Sequence, residues 1–255
     1  MRMRFIKHVV GVAFLVFGLG LPQFSRATLV DAGWDLFLTD PGSTTFLGQH
    51  FEGVPLGTFD FGGSIGVKPV GNTDTIMQRL AAGPGTGIPI ALQAFELQSV
   101  NPFDPDGSGD APLATYYVTL QSLHGGLASG GTVDIAENQA GTGGTFQSFF
   151  DVWFDVRAGG LNGDIVMSGT KHFTGSGIWS HDAPAGALEI PGVNYLLDGA
   201  DTAQDFWPVG LTIHDAGDGT HGVTPVPEPS TVIGGALLLL PFGASTLRLL
   251  RRRTA

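Results

Sequence analysis

The run Asn101-Pro102-Phe103-Asp104-Pro105-Asp106-Gly107-Ser108-Gly109-Asp110 comes nearest to a ligand set in this 255-residue chain. Asp104, Asp106, Ser108 and Asp110 place an oxygen at every second position around two glycines, the pattern of the first half of a calcium-binding loop. A complete loop of this type ends on an acidic residue at about its twelfth position. Counted from Asp104 that position is Thr115, which cannot serve. The run therefore reads either as a calcium half-site or as an acidic surface loop between two strands. The seven histidines show no HExxH or comparable zinc spacing. His214-Asp215 and the stretch from Asp218 to His221 form a small cluster that reads as a polar turn. With no cysteine there is neither a thiolate ligand nor a thiol nucleophile. There is also no GxSxG elbow and no phosphate-cradling loop. Asp151 and Asp155 would share one strand face about 13 Å apart, at ~3.3 Å per residue, too far for a glycosidase pair at ~5–9.5 Å. Trp34, Trp153, Trp179, Trp207 and Phe149 are either core residues or a sugar-stacking platform. No catalytic motif emerges, and no cofactor is implied beyond the calcium half-site.

The elements that must position these residues are strands. Gly is frequent (40) and charged residues are few (14%), a balance that favours short strands and tight turns over helices. Between residues 146 and 157, Phe146, Phe150, Val152, Phe154 and Val156 fall on one face and Asp151, Asp155 and Arg157 on the other, which is a half-buried strand. Trp153 and Phe149 on the polar side imply partial cover there. Further strands are expected at 54–61, 88–100, 113–123, 164–168 and 209–214, with a bulge near Ala94 and Phe95 where the apolar phase shifts. Only 73–82 looks helical. Asn162-Gly163 reads as a two-residue hairpin turn. The fold class is all-β, an antiparallel sandwich or jelly-roll-like domain over residues 28–219, with 220–225 as a linker.

Charge divides the chain into three. Residues 28–225 hold four bases (Lys68, Arg79, Arg157, Lys171) against 22 acids, a formal charge of −18. Such a body repels nucleic acid. Residues 1–27 have the form of a secretory signal peptide: basic Arg2, Arg4 and Lys7, an uncharged apolar run over 9–21, then Ser25-Arg26-Ala27. Cleavage is expected between Ala27 and Thr28. At the other end, Pro227, Glu228 and Pro229 precede an uncharged apolar stretch at 232–247. Arg248, Arg251, Arg252 and Arg253 follow and would stop the chain in the membrane with this end inside. With Arg248 snorkelling, 232–250 reaches about 28 Å as a single transmembrane helix, at ~1.5 Å per residue.

Residues 226–255 resemble the PEP-CTERM sorting signal of Gram-negative bacterial surface proteins: a Pro-Glu-Pro motif, a short membrane segment and a terminal Arg cluster on a chain with a signal peptide. The resemblance implies a membrane-embedded exosortase that recognises the motif and removes the tail. It also implies a transient inner-membrane intermediate, a final place at the cell surface or in the extracellular matrix, and association with exopolysaccharide. The expectation is thus a non-catalytic surface protein. The alternatives are a secreted carbohydrate-binding module, with or without calcium, and a glycan-acting hydrolase.

Overall fold

The computed structural model describes residues 30–83, 85–105, 107–109, 113–195 and 204–228. Their strands are β1 (Gly33–Thr39), β2 (Thr45–Phe46), β3 (Gln49–Gly53), β4 (Gly57–Asp60), β5 (Val67–Gly71), β6 (Thr75–Arg79) and β7 (Ile88–Phe95). They continue as β8 (Leu97–Ser99), β9 (Tyr116–Leu120), β10 (Ser129–Glu137), β11 (Gly143–Ala158), β12 (Asp164–Ser180), β13 (Trp207–Asp215) and β14 (Thr220–Pro225). One short 3-10 turn, Gln121–His124, follows β9. The domain is all-β and every strand pairing is antiparallel, as composition and alternation imply.

Hydrogen bonding runs β1-β6-β7-β10-β11-β12-β13-β14, and β14 returns to β1, so these eight strands close on themselves. From β14 a second course passes through β2, β3, β8 and β9 and rejoins at β11. The long hairpin β11–β12 makes this branching happen. One edge of β11 pairs with β12 along its length, while the other pairs first with β10 and then with β9. Closure leaves few open edges, the main hazard of a Gly-rich β protein.

The main core fills the space inside the strands, with Phe37, Phe95, Phe146, Phe150, Phe154, Phe173 and Trp179 among its members. A second cluster lies behind β1 and β6, where Leu36 and Ile76 meet Phe61, Val70, Ile190, Val193 and Val226, with Trp34 and Phe59 packed against it. Both faces of β6 are thus buried. That explains why 73–82, expected to be helical, is a strand: Thr75, Met77 and Arg79 face the interior core while Ile76 faces the second cluster. A strand buried on two sides loses its period-two signature.

Two other expectations change. Residues 220–225, expected as a linker, form β14, whose His221 and Val223 are buried in the wall of the closed sheet. The β11–β12 hairpin exists, but residues 159–163 connect it. Gly159 and Gly160 supply the positive φ values, and Gly163 donates to the Gly160 carbonyl. The bulge is found: Ile76 pairs with Ala94 and Met77 with Leu92, so Gln93 is extra and the inward phase moves from Leu92 to Phe95. The expected signal peptide with Ala27 and Thr28, the apolar stretch at 232–247 and Arg248, Arg251, Arg252 and Arg253 lie outside the described residues. No helix among the described residues is long and apolar enough to cross a membrane.

Candidate functional site

The outer face of β10–β13 carries an open groove of about 490 Å³. Strand register builds it in rows. Asp134 pairs with Gln147, Gln147 with Ser176 and Ser176 with Ile213. In the next row Thr132 pairs with Phe149, Phe149 with Thr174 and Thr174 with Asp215. Beyond these, Asp151 pairs with His172, and the His172 Nδ1 lies 2.8 Å from the Asp151 carboxylate. Alternation places all of these side chains outward while Phe146, Ser148 and Phe150 point into the core.

Phe149 stands at the centre, 48% exposed, with its ring 6.0 Å from that of His172. Around it are an amide (Gln147), hydroxyls (Thr174, Ser176) and three carboxylates (Asp134, Asp151, Asp215). Asp134 and Asp215 are fixed by loop amides: Gly87 N–H donates to Asp134 at 2.6 Å and Gly217 N–H to Asp215 at 2.6 Å. An apolar ring among fixed acceptors suits a ligand with both an apolar face and hydroxyl or amino donors. Register sets the Cα atoms of the three carboxylates on the order of 12–15 Å apart, at ~4.8 Å per strand and ~3.4 Å per residue. Glycosidase carboxylates sit at ~5–9.5 Å, so the arrangement favours holding a ligand over cleaving one.

The wider surface is short of cations. Arg79 is buried against Asp35, Arg157 is buried against Asp155 at 3.0 Å, and Lys171 pairs with Asp218. Three of the four bases between residues 28 and 225 are thus already neutralised. Arg157 also reaches Thr119 and the Gly163 carbonyl, and Asp155 accepts from Ser168. A second open groove of about 340 Å³, beside Gln121, His124 and Ile165, therefore meets a carboxylate whose partners are already in place.

The interior holds a polar chain that includes His214 and His221, which were expected in a polar turn after the last strand. His214 and His221 are direct partners across β13 and β14, and both are buried. Thr39 Oγ1 lies 3.2 Å from the His221 Nε2 and donates to Asp74 at 2.6 Å. Thr39 N–H and Thr75 Oγ1 also donate to Asp74. Burial pushes the Asp74 carboxyl up to about 6, against the pull of these donors. Burial lowers His214 to about 4 despite a hydrogen bond to the His221 backbone, and lowers His221 to about 3, helped by the neighbouring His214. Both rings are therefore neutral near pH 7. The signal in the sequence was inverted alternation: Leu211 and Ile213 face out while Thr212 and His214 face in.

The structure separates the remaining candidates. Trp179 and Trp207 are buried and Trp34 packs edge-on against Phe61, so these three build no shared platform with Phe149; the half-buried Trp153 lies on the same outward face as Phe149, four residues further along β11. Of the calcium half-site, Asp106 and Asp110 lie outside the described residues. Asp104 accepts a bond from Gly109 N–H at 2.7 Å. Among the described residues no group of three acidic or histidine side chains is placed to hold a metal. Of the Pro-Glu-Pro run expected to be a sorting motif, Pro229 lies outside the described residues, while Pro227 and Glu228 are docked. Pro227 bridges to Ala187, and Glu228 N–H donates to the Gly186 carbonyl at 2.7 Å. Comparison of the chain with protein-family models, curated proteins and solved structures finds no match.

Proposed function

We propose that this chain is an exported, non-catalytic surface protein whose closed β domain contacts extracellular polysaccharide through the Phe149 groove. The observation that carries the reading is the groove's composition: one exposed aromatic ring set among fixed acceptors and small hydroxyls on a rigid sheet face. Sugars present an apolar face to such a ring and hydroxyl donors to such acceptors. Charge narrows the class. With three acids around the ring and most bases neutralised, a neutral or amino-bearing polymer is accommodated and a uronate polymer is repelled. Calcium bound at Asp104, Asp106, Ser108 and Asp110 belongs to the alternative reading of a calcium-dependent carbohydrate-binding module.

Export, exosortase processing at Pro227-Glu228-Pro229, transient residence in the inner membrane of a Gram-negative host and a final place at the surface or in the matrix complete the proposal. They rest on the basic–apolar–small pattern of 1–27 and the motif–apolar–Arg order of 226–255. Affinity electrophoresis tests the groove. Mobility should fall in gels containing a neutral or amino-bearing polysaccharide, remain unchanged with a uronate polymer, and recover in Phe149→Ala. Equal retardation of wild type and Phe149→Ala would remove the groove from the account.

A further inference from the structure

Inside the closed sheet, between β1, β6, β11 and β13, lies an enclosed cavity that offers about 20 Å³ to the centre of a water-sized sphere. Three polar atoms of residues lining it have no hydrogen-bond partner among the described residues: Ser148 Oγ, Thr212 Oγ1 and His214 Nδ1. All three residues are more than nine-tenths buried. Their convergence has a structural cause. Gly175 and Gly177 on β12 lack the Cβ atoms that would collide with the His214 ring and with Phe146 and Thr212, so these side chains settle inward around one space. The rest of the lining is Asp35, which is paired with Arg79, and the apolar side chains Phe37, Met77, Val133, Phe146, Phe206 and Pro208.

Buried polar groups in folded proteins are almost always satisfied, and three orphans around one cavity point to a shared partner. The space fits one water, which needs ~10–15 Å³ on this measure and two to four polar neighbours. A cation is disfavoured because the nearby Asp35 carboxylate is already matched by Arg79. A larger organic ligand does not fit. Each hydroxyl can donate or accept and the neutral imidazole nitrogen does one or the other, so a water, which does both, can satisfy all three.

We infer that the cavity is a built site for one long-lived structural water, which Ser148, Thr212 and His214 hold jointly and which ties β11 to β13 across the interior. The site is independent of the groove: it faces the opposite side of the same strands and is closed to polysaccharide.

A high-resolution crystal structure of the protein recovered from its host tests this first. The expected result is a density peak within hydrogen-bond distance of at least two of the three atoms. A dry cavity overturns the inference. Water-to-protein cross-relaxation by NMR gives a second reading, with a cross-peak expected from a slowly exchanging water to the Thr212 methyl. Thr212→Val keeps methyl groups against the cavity and removes the exchanging hydroxyl. Persistence of the cross-peak in that variant, with Ser148 and His214 still in place, supports the water, whereas its loss together with a dry cavity in the wild-type crystal assigns the signal to the hydroxyl and overturns the inference. Because the crystallographic reading uses the wild-type chain, it stands even if the variant fails to fold.

Discussion

His214 is a neutral imidazole sealed inside a β domain, and its burial constrains the pH behaviour of this protein. Its unfolded counterpart titrates at about 6.5 and its folded form at about 4. Its contribution to stability is therefore complete above about pH 6.5 and is lost as pH falls toward 4. The gap corresponds to ~3 kcal/mol at ~1.4 kcal/mol per unit. His214→Phe should lose less stability than wild type over that window in urea titrations run across pH, and identical acid limbs would contradict the burial argument. Asp74 acts with the opposite sign. Its folded value of about 6 exceeds the ordinary 3.8, so its ionised form penalises the fold above about pH 6 and the penalty is relieved on acidification. Asp74→Asn should therefore steepen the acid loss. Burial also raises Asp35 and Glu96, which add to the Asp74 direction. This chemistry was hidden in the sequence because alternation identifies the two faces of a strand without saying which is inside. On β13 the apolar face, Leu211 and Ile213, is the exposed one. Phe149 was legible for the complementary reason: it broke the polar phase of an otherwise regular strand.

At the scale of elements, the long hairpin and the last strand decide the architecture. The period-two pattern over 146–157 located β11, and the turn residues after it located the hairpin, but the 17-residue reach of β12 was not legible. Between Thr174 and Ile178 it alternates glycine with threonine, serine and isoleucine, because Gly175 and Gly177 make room for large neighbours instead of packing themselves. Gly175→Val should cost ~1–3 kcal/mol through overpacking, since even its Cβ would lie 2.2 Å from the His214 ring. A smaller loss in thermal or chemical unfolding would show that the ring can move aside. The strand at 220–225 escaped sequence reading because only Val223 and the buried His221 carry an inward signal, and Pro225 reads as a terminator. Its structural position makes a sharp prediction. A chain ending at Glu228 should unfold cooperatively. One ending at Asp218 loses β14, which joins β13 to β1, and should not give a single transition. Equal cooperativity in the two chains would mean that closure contributes nothing.

For the whole molecule, the body and the proposed sorting motif are continuous. Val226 is buried in the second cluster, Leu188 N–H donates to the Val226 carbonyl, and Pro227 and Glu228 follow along the 186–188 segment. Pro227 and Glu228 of the proposed motif therefore sit against a folded domain instead of on a free spacer, and a processing enzyme would meet them there. Glu228→Ala and Pro227→Ala should leave export and the β domain intact while the tail stays attached, because the apolar stretch and Arg cluster suffice to stop the chain in a membrane. Deleting the host exosortase should reproduce that retention on immunoblots of membrane fractions, and normal processing in either case would reduce the motif to a spacer. The expectations for the two ends rest on charge blocks and apolar length, which are local properties of the sequence. The closed strand order was not, since it depends on pairings between residues nearly two hundred positions apart, such as Phe37 with Pro225. The central claim is that a folded β domain is delivered outside the cell and parted from both terminal segments. Intact-mass spectrometry of the protein recovered from the surface or matrix of its host tests it directly. The account predicts a species that begins at Thr28 and lacks the apolar stretch and Arg248, Arg251, Arg252 and Arg253. Surface material that still carries Met1 or the arginine-rich end would contradict it.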